Sequence, residues 1–173
     1  MVLAVIATAC LSTGCAEPLF PAEATKKFDP SVQMGIFNPE ADVYYKGHLA
    51  QVGGRIVSTE QTDRGVTITA DELPLKDRYT RLVEAGPSQG RFVVFYEGRL
   101  DPAWLQQGNK IIVLGLVEGT QRIMVKELER TVPYVKVHCV HIWKTGRYAI
   151  ADFPYLPDGY SALEHQTHCI PSR

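Results

Sequence analysis

Apolar and polar positions alternate from Val66 to Asp71, with Val66, Ile68 and Ala70 set against Thr67, Thr69 and Asp71. A period of two belongs to a strand with one dry face and one wet face. The turn Asp63-Arg64-Gly65 leads into it, and Leu73-Pro74-Leu75 ends it, because proline cannot donate to a central ladder. Upstream, His48–Ser58 carries Leu49, Val52, Ile56 and Val57 and is interrupted by Gly53-Gly54. Paired glycines inside a strand predict a bulge or a sharp coil where side chains would clash. Arg91–Glu97 is rich in aromatic and β-branched residues and predicts a third strand. Lys110–Glu118 is the most apolar run, broken by Gly119, and Arg122–Val125 and Tyr134–Trp143 supply two more strands.

Two segments read as short helices. Tyr79, Leu82 and Val83 stand at i, i+3 and i+4 within Asp77–Ala85, which Gly86-Pro87 closes. Asp101 followed by Pro102 predicts a helix start, with the aspartate as N-cap and the proline in the first helical position. Antiparallel strands in succession, with glycine at the corners, predict an all-β, mainly antiparallel domain. A small OB-like β-barrel is the preferred form and a sandwich the alternative. Residues 145–173 hold Tyr148, Phe153, Tyr155 and Tyr160 among Pro154, Pro157 and Gly159, and are expected to form an irregular C-terminal tail. Such a tail suits a lid, a strap, or an arm that docks an envelope protein partner.

The N-terminus has a different grammar. Residues 1–14 carry no charge, and the apolar stretch Val2–Ala9 is shorter than the roughly 20 residues that span a bilayer. It matches the apolar region of a signal peptide. Leu11-Ser12-Thr13-Gly14-Cys15 reads as a lipobox, which makes Cys15 the lipidated residue; Cys10, after Ala7-Thr8-Ala9, is a rival. Ala16 follows, and the absence of aspartate there favours sorting to the outer membrane. The expected organisation is a signal peptide at 1–14, an anchor and tether at 15–43, a β-barrel domain at 44–144 and an extension at 145–173. Pro18, Pro21, Pro30 and Pro39 suggest the tether; Phe20, Phe28 and Phe37 offer the alternative of docking on the domain.

Composition narrows the function classes. Eighteen basic and nineteen acidic residues give a net charge of -1, so no basic field draws the chain to nucleic acid. No phosphate loop, dinucleotide fingerprint or Gly-x-Ser-x-Gly elbow occurs in the sequence. Phe92, Phe95 and Tyr96 resemble a base-stacking platform, but Phe92 and Phe95 fall on opposite faces of one strand.

The remaining chemistry lies in two His/Cys clusters, His138-Cys139-Val140-His141 and His165-Gln166-Thr167-His168-Cys169. Thiolate and imidazole suit zinc or copper, and six residues are candidates: His138, Cys139, His141, His165, His168 and Cys169. The competing reading is a disulfide between Cys139 and Cys169 in an oxidising compartment. Closing a loop of about 30 residues contributes roughly 3 kcal/mol. No catalytic residues are expected, and no cofactor besides the covalent lipid at Cys15.

Several short motifs, in order, carry a resemblance to a known family. They are Val52-Gly53-Gly54-Arg55-Ile56, Leu73-Pro74-Leu75, Gly90-Arg91-Phe92, Leu100-Asp101-Pro102, Val113-Leu114-Gly115, Pro133-Tyr134-Val135 and His141-Ile142-Trp143. Over residues 45–143 the chain resembles the Slp family, starvation-inducible outer-membrane lipoproteins. The resemblance implies a lipid-anchored, periplasm-facing envelope protein connected with stress. It implies no enzyme activity and supplies no ligand.

Overall fold

The computed structural model describes residues 18–28, 30, 32, 36–37, 44–76, 81–85, 88, 90–153, 155–157 and 159–171. A one-turn helix α1 (Ala22–Thr25) precedes the strands. In chain order these are β1 (Leu49–Thr62), β2 (Gly65–Glu72), β3 (Leu75–Lys76), β4 (Arg81–Leu82), β5 (Arg91–Tyr96), β6 (Lys110–Val125), β7 (Leu128–Trp143), β8 (Tyr155–Leu156), β9 (Gly159–Tyr160) and β10 (His165–Cys169). The architecture is all-β, as the alternation predicts. The main sheet runs β10-β7-β5-β2-β1-β6, and β6 also pairs with β7, so five long strands close into a ring. Every pairing in it is antiparallel except β5 with β7.

Strand β1 belongs to two sides of the ring. Leu49–Arg55 pairs with β6, and Gly54–Thr62 pairs with β2. Gly53 and Gly54 stand where the strand passes from one neighbour to the other. A Cβ on Gly53 would come within 2.7 Å of the Leu73 carbonyl oxygen, and one on Gly54 within 2.7 Å of the Phe92 ring. The glycines therefore permit close approach, whereas the register shift itself falls between Ile56 and Ser58.

Several local expectations are corrected. Gly119 does not end β6; it lies at a register shift against β7, and the strand continues through Arg122–Val125. The helix expected within Asp77–Ala85 is absent where that segment is described: Arg81–Leu82 pairs with Leu75–Lys76 as a small hairpin. Leu82 is buried there, so an apolar spacing that suits a helix serves a hairpin instead. Tyr79 lies outside the described residues. At Asp101 the cap forms, with the Ala103 N–H donating to its Oδ1 at 2.8 Å, but only one turn follows. The tail is not irregular throughout, since β10 joins the main sheet.

Two apolar clusters hold these elements. The interior of the ring is filled by side chains such as Ile56, Ile68, Phe92, Val113 and Ile142. Val32 and Ile36 complete it, one helical turn apart through the Ile36 N–H to Val32 carbonyl bond of 3.2 Å. Phe37 meets Phe92 edge to face at 6.4 Å. Outside the ring, a second cluster gathers Phe20, Leu73, Leu82, Ile112, Leu114, Cys139 and Trp143. Leu19, Phe28, Ile150 and Leu163 pack against it. Phe20, Phe28 and Phe37 thus dock on the domain, and Pro39 lies outside the described residues.

Candidate functional site: the strapped face of the last two long strands

The His/Cys segments predicted from sequence meet where β10 lies beside the C-terminal half of β7. Cys169 stands opposite Cys139, Thr167 opposite His141, and His165 opposite Trp143. Side chains at alternate positions share a face, so these three pairs form one ladder. The first is a disulfide with Cα atoms 4.1 Å apart. That short spacing belongs to a non-hydrogen-bonded pair, and the next pair carries the ladder bond, from the Ile170 N–H to the His138 carbonyl at 2.8 Å.

His141 sits at the centre of the ladder and is 3% exposed. Its Nδ1 lies 2.7 Å from the Thr167 hydroxyl oxygen, and that hydroxyl lies 2.8 Å from the Leu19 carbonyl. The threonine has one proton, which it donates to Leu19. The imidazole therefore donates from Nδ1, which leaves Nε2 as a bare acceptor. Nε2 is buried and has no partner among the described residues. Burial pushes the His141 pKa down to about 4, and repulsion from His165 and His168 adds to the shift. The ring packs edge-on to Trp143 at 4.3 Å and beside His165 at 5.2 Å.

The other candidates lie elsewhere. His168 points to the opposite side of β10, edge-on to Trp104 at 5.9 Å, and burial lowers its pKa. Lys144 Nζ stands over the same Trp104 ring at 4.3 Å and pairs with Glu164 at 2.7 Å. His138 is exposed at the register shift opposite Leu114 and Gly115, and so belongs to neither face of the ladder. The disulfide uses both sulfurs. Among the described residues no group of three or more His, Cys, Asp or Glu converges as a metal set would. Cys15 lies outside the described residues.

Sequence reasoning missed Lys110. It heads the most apolar strand and is 4% exposed. Its ammonium donates to the carbonyls of Tyr148 at 2.6 Å, Gly108 at 3.3 Å and Gly146 at 3.3 Å. Three carbonyl dipoles replace the water that the buried charge gives up. The Glu84 carboxylate takes the Ile150 N–H at 2.9 Å, a second tie on the same segment. The only signal in the sequence was a lone lysine at the start of an apolar run. It does not reveal carbonyls that lie 36 and 38 residues away.

The model of the outer membrane lipoprotein Slp family matches residues 12–167. The chain belongs to the Slp family of outer membrane lipoproteins. The match extends the resemblance at both ends, taking in Cys15 and the start of β10. This Slp-family chain is 28% identical over 93 residues to an uncharacterized protein of Haemophilus influenzae, covering 54% of the chain. It spans about half the length of that relative, 50%. Among solved structures it has a slight likeness to Schizosaccharomyces pombe Pot1pC bound to ssDNA, 9% identical with a TM-score of 0.28. That likeness covers 55% of this chain and 73% of the other, and it is too slight to bear on fold or function. Membership in the Slp family places this protein at the outer membrane.

Proposed function

We propose that this Slp-family protein is acylated at Cys15 and works as a non-enzymatic interaction module, periplasm-facing and tied to envelope stress. One observation carries the reading: Leu19 and Phe20 are already part of the folded body. The Thr167 hydroxyl holds the Leu19 carbonyl, and Phe20 is 4% exposed. Four residues of extended chain reach no more than about 14 Å. A lipid on Cys15 therefore holds the strapped face close to the bilayer. Each buried methylene of an acyl chain contributes about 0.8 kcal/mol, so a cysteine carrying a diacyl group and a further acyl chain is held firmly.

The tail supports partner docking by a route other than loose aromatics. β10 ends the strand order, and among the described residues it pairs with β7 alone. Its outward edge offers main-chain groups for strand addition by an extended segment of another envelope protein. The ladder bonds run through Gln166, His168 and Ile170, so the N–H of His165 points outward.

Two measurements test these statements. Intact mass of membrane-extracted protein should show a chain beginning at an acylated Cys15, and Cys15→Ser should release the protein from the outer membrane. An unmodified chain starting at Met1 overturns the anchor. Envelope cross-linking should lose its partner band in His165→Pro, which removes an outward N–H and leaves the β7–β10 ladder intact. An unchanged band overturns docking at this edge.

A further inference from the structure

The ring has a concave surface at the end away from the strap. It is a groove of about 520 Å³ between the β1–β2 hairpin, the end of β5 and the β6–β7 ladder. Phe95 is part of its lining. Outward-facing on β5, it stands opposite Thr67 of β2 and Lys136 of β7. Gly65 makes room for its ring: a Cβ there would lie 2.8 Å from Phe95 Cζ. Tyr134 lines the same groove and pairs with Val93, two register positions from Lys136. From strand geometry the two aromatic residues are roughly 8 Å apart. Both are half-buried, and both belong to the outer surface rather than to the core inside the ring.

The polar lining decides what such a surface holds. Glu60, Thr67, Gln121 and Arg64 bring acceptors and donors to the groove. The charges nearly balance, because Glu97, also in the lining, is tied to Lys136 at 3.2 Å. Phosphate chains would meet Glu60 and Glu97 without an excess of lysine or arginine to offset them, which disfavours nucleic acid. Sugars present the opposite chemistry. Their C–H faces stack on aromatic rings, and their hydroxyls both donate to carboxylates and accept from amide and guanidinium groups.

We propose that this groove binds an uncharged oligosaccharide, with successive sugar units on Phe95 and Tyr134 and their hydroxyls bound by Glu60, Thr67 and Gln121. The site is independent of the anchor and of the β10 edge, so it stands or falls separately from the proposed function.

The test uses the full chain in a detergent without a sugar head group. Chitotetraose, maltotetraose and cellotetraose are titrated by calorimetry and by two-dimensional NMR. At least one should bind saturably, and Tyr134→Ala and Gln121→Ala should each weaken it about tenfold or more at unchanged melting temperature. Phe95→Ala should abolish binding; because it also unpacks Gly65, the two other variants carry the conclusion. No saturable binding of any of the three up to millimolar concentration overturns the proposal. So does binding that Tyr134→Ala and Gln121→Ala leave intact, or preferential binding of a single-stranded ten-nucleotide probe.

Discussion

The two ends of the β6–β7 ladder are made of the same pairing and live in different surroundings. At one end Lys110 faces Trp143, and the Cys139, His141 and Trp143 side chains lie under β10 and the N-terminal segment. At the other end Val125 faces Leu128, and Met124 and Leu128 are 67% and 57% exposed. Ladder bonds alone do not make a region rigid. What separates the ends is covering material: tail, disulfide, a buried ammonium and the N-terminal segment around Leu19 and Phe20 all lie at one of them. In the proposed orientation the covered end faces the bilayer, and the bare hairpin reaches toward the periplasm.

Removing the cross-link should break this contrast most. Cys139→Ala with Cys169→Ala frees a loop with a sequence separation of 30 residues and should cost roughly 3 kcal/mol. For a domain of this size that lowers the melting temperature by roughly 6–12 °C. Amide exchange should rise across β10 while the hairpin tip stays as it was. A change below about 2 °C, or exchange rising equally at both ends, would sink the idea that the strap makes the difference.

Acid should attack the same end by another route. The pKa of His141 is lowered in the folded state to about 4 from 6.5, so the unfolded chain takes up the proton first. The stability this neutral imidazole contributes is fully present above about pH 6.5. It declines as pH falls from there and is gone below about 4, for a total on the order of 3 kcal/mol. His141→Gln should flatten that part of the stability–pH curve measured by urea unfolding. An unchanged curve between pH 7 and 4 would mean that the ring is protonated in the fold or exposed to water.

How much of this contrast the sequence carried depends on the distance over which each feature is decided. The strands were legible because alternation is local, and Val66–Asp71 shows it without help. The two register shifts of β6 against β7 were not legible. Val137 and Cys139 share a face by simple counting, yet the shift between them places Val137 inside the ring and Cys139 outside. The pairing of Cys139 with Cys169 is legible as one alternative because only those two cysteines follow Cys15. The partner of His141 was hidden, since it depends on Thr167 meeting Leu19, 148 residues apart. The groove at Phe95 was half visible: the aromatic run Phe92, Phe95 and Tyr96 stands out in the sequence, but Phe92 is buried inside the ring and only Phe95 of the three faces the groove.

Lys110 gives a smaller break. Lys110→Met keeps the aliphatic stem and takes the ammonium from the carbonyls of Gly146 and Tyr148, while the Gly108 carbonyl keeps the Thr145 hydroxyl at 3.4 Å. Unpaired buried carbonyls cost about 1–3 kcal/mol in total where water reaches some of them. The expected result is a loss of about 2 kcal/mol in urea unfolding, read from the fluorescence of the single remaining Trp143, opposite Lys110, in a Trp104→Phe background. A neutral or stabilising outcome would mean that the tail start is held by the β10 ladder and disulfide alone.

The hairpin tip should respond least, and in the opposite direction. Lys126 and Glu127 turn the chain with φ of 47° and 68°, the left-handed region that side chains with a Cβ occupy at a cost. Two-residue hairpins of this kind favour Asn-Gly, since the turn then follows the twist of the strands without that cost. Lys126→Asn with Glu127→Gly should therefore stabilise by up to about 1 kcal/mol. Met124→Ser with Leu128→Thr should stay within about 0.5 kcal/mol of the parent, because little packs on either side chain. If the serine–threonine variant instead loses as much as the cysteine variant, the tip is covered by another chain in solution. The contrast between the ends would then be one of partners and not of exposure.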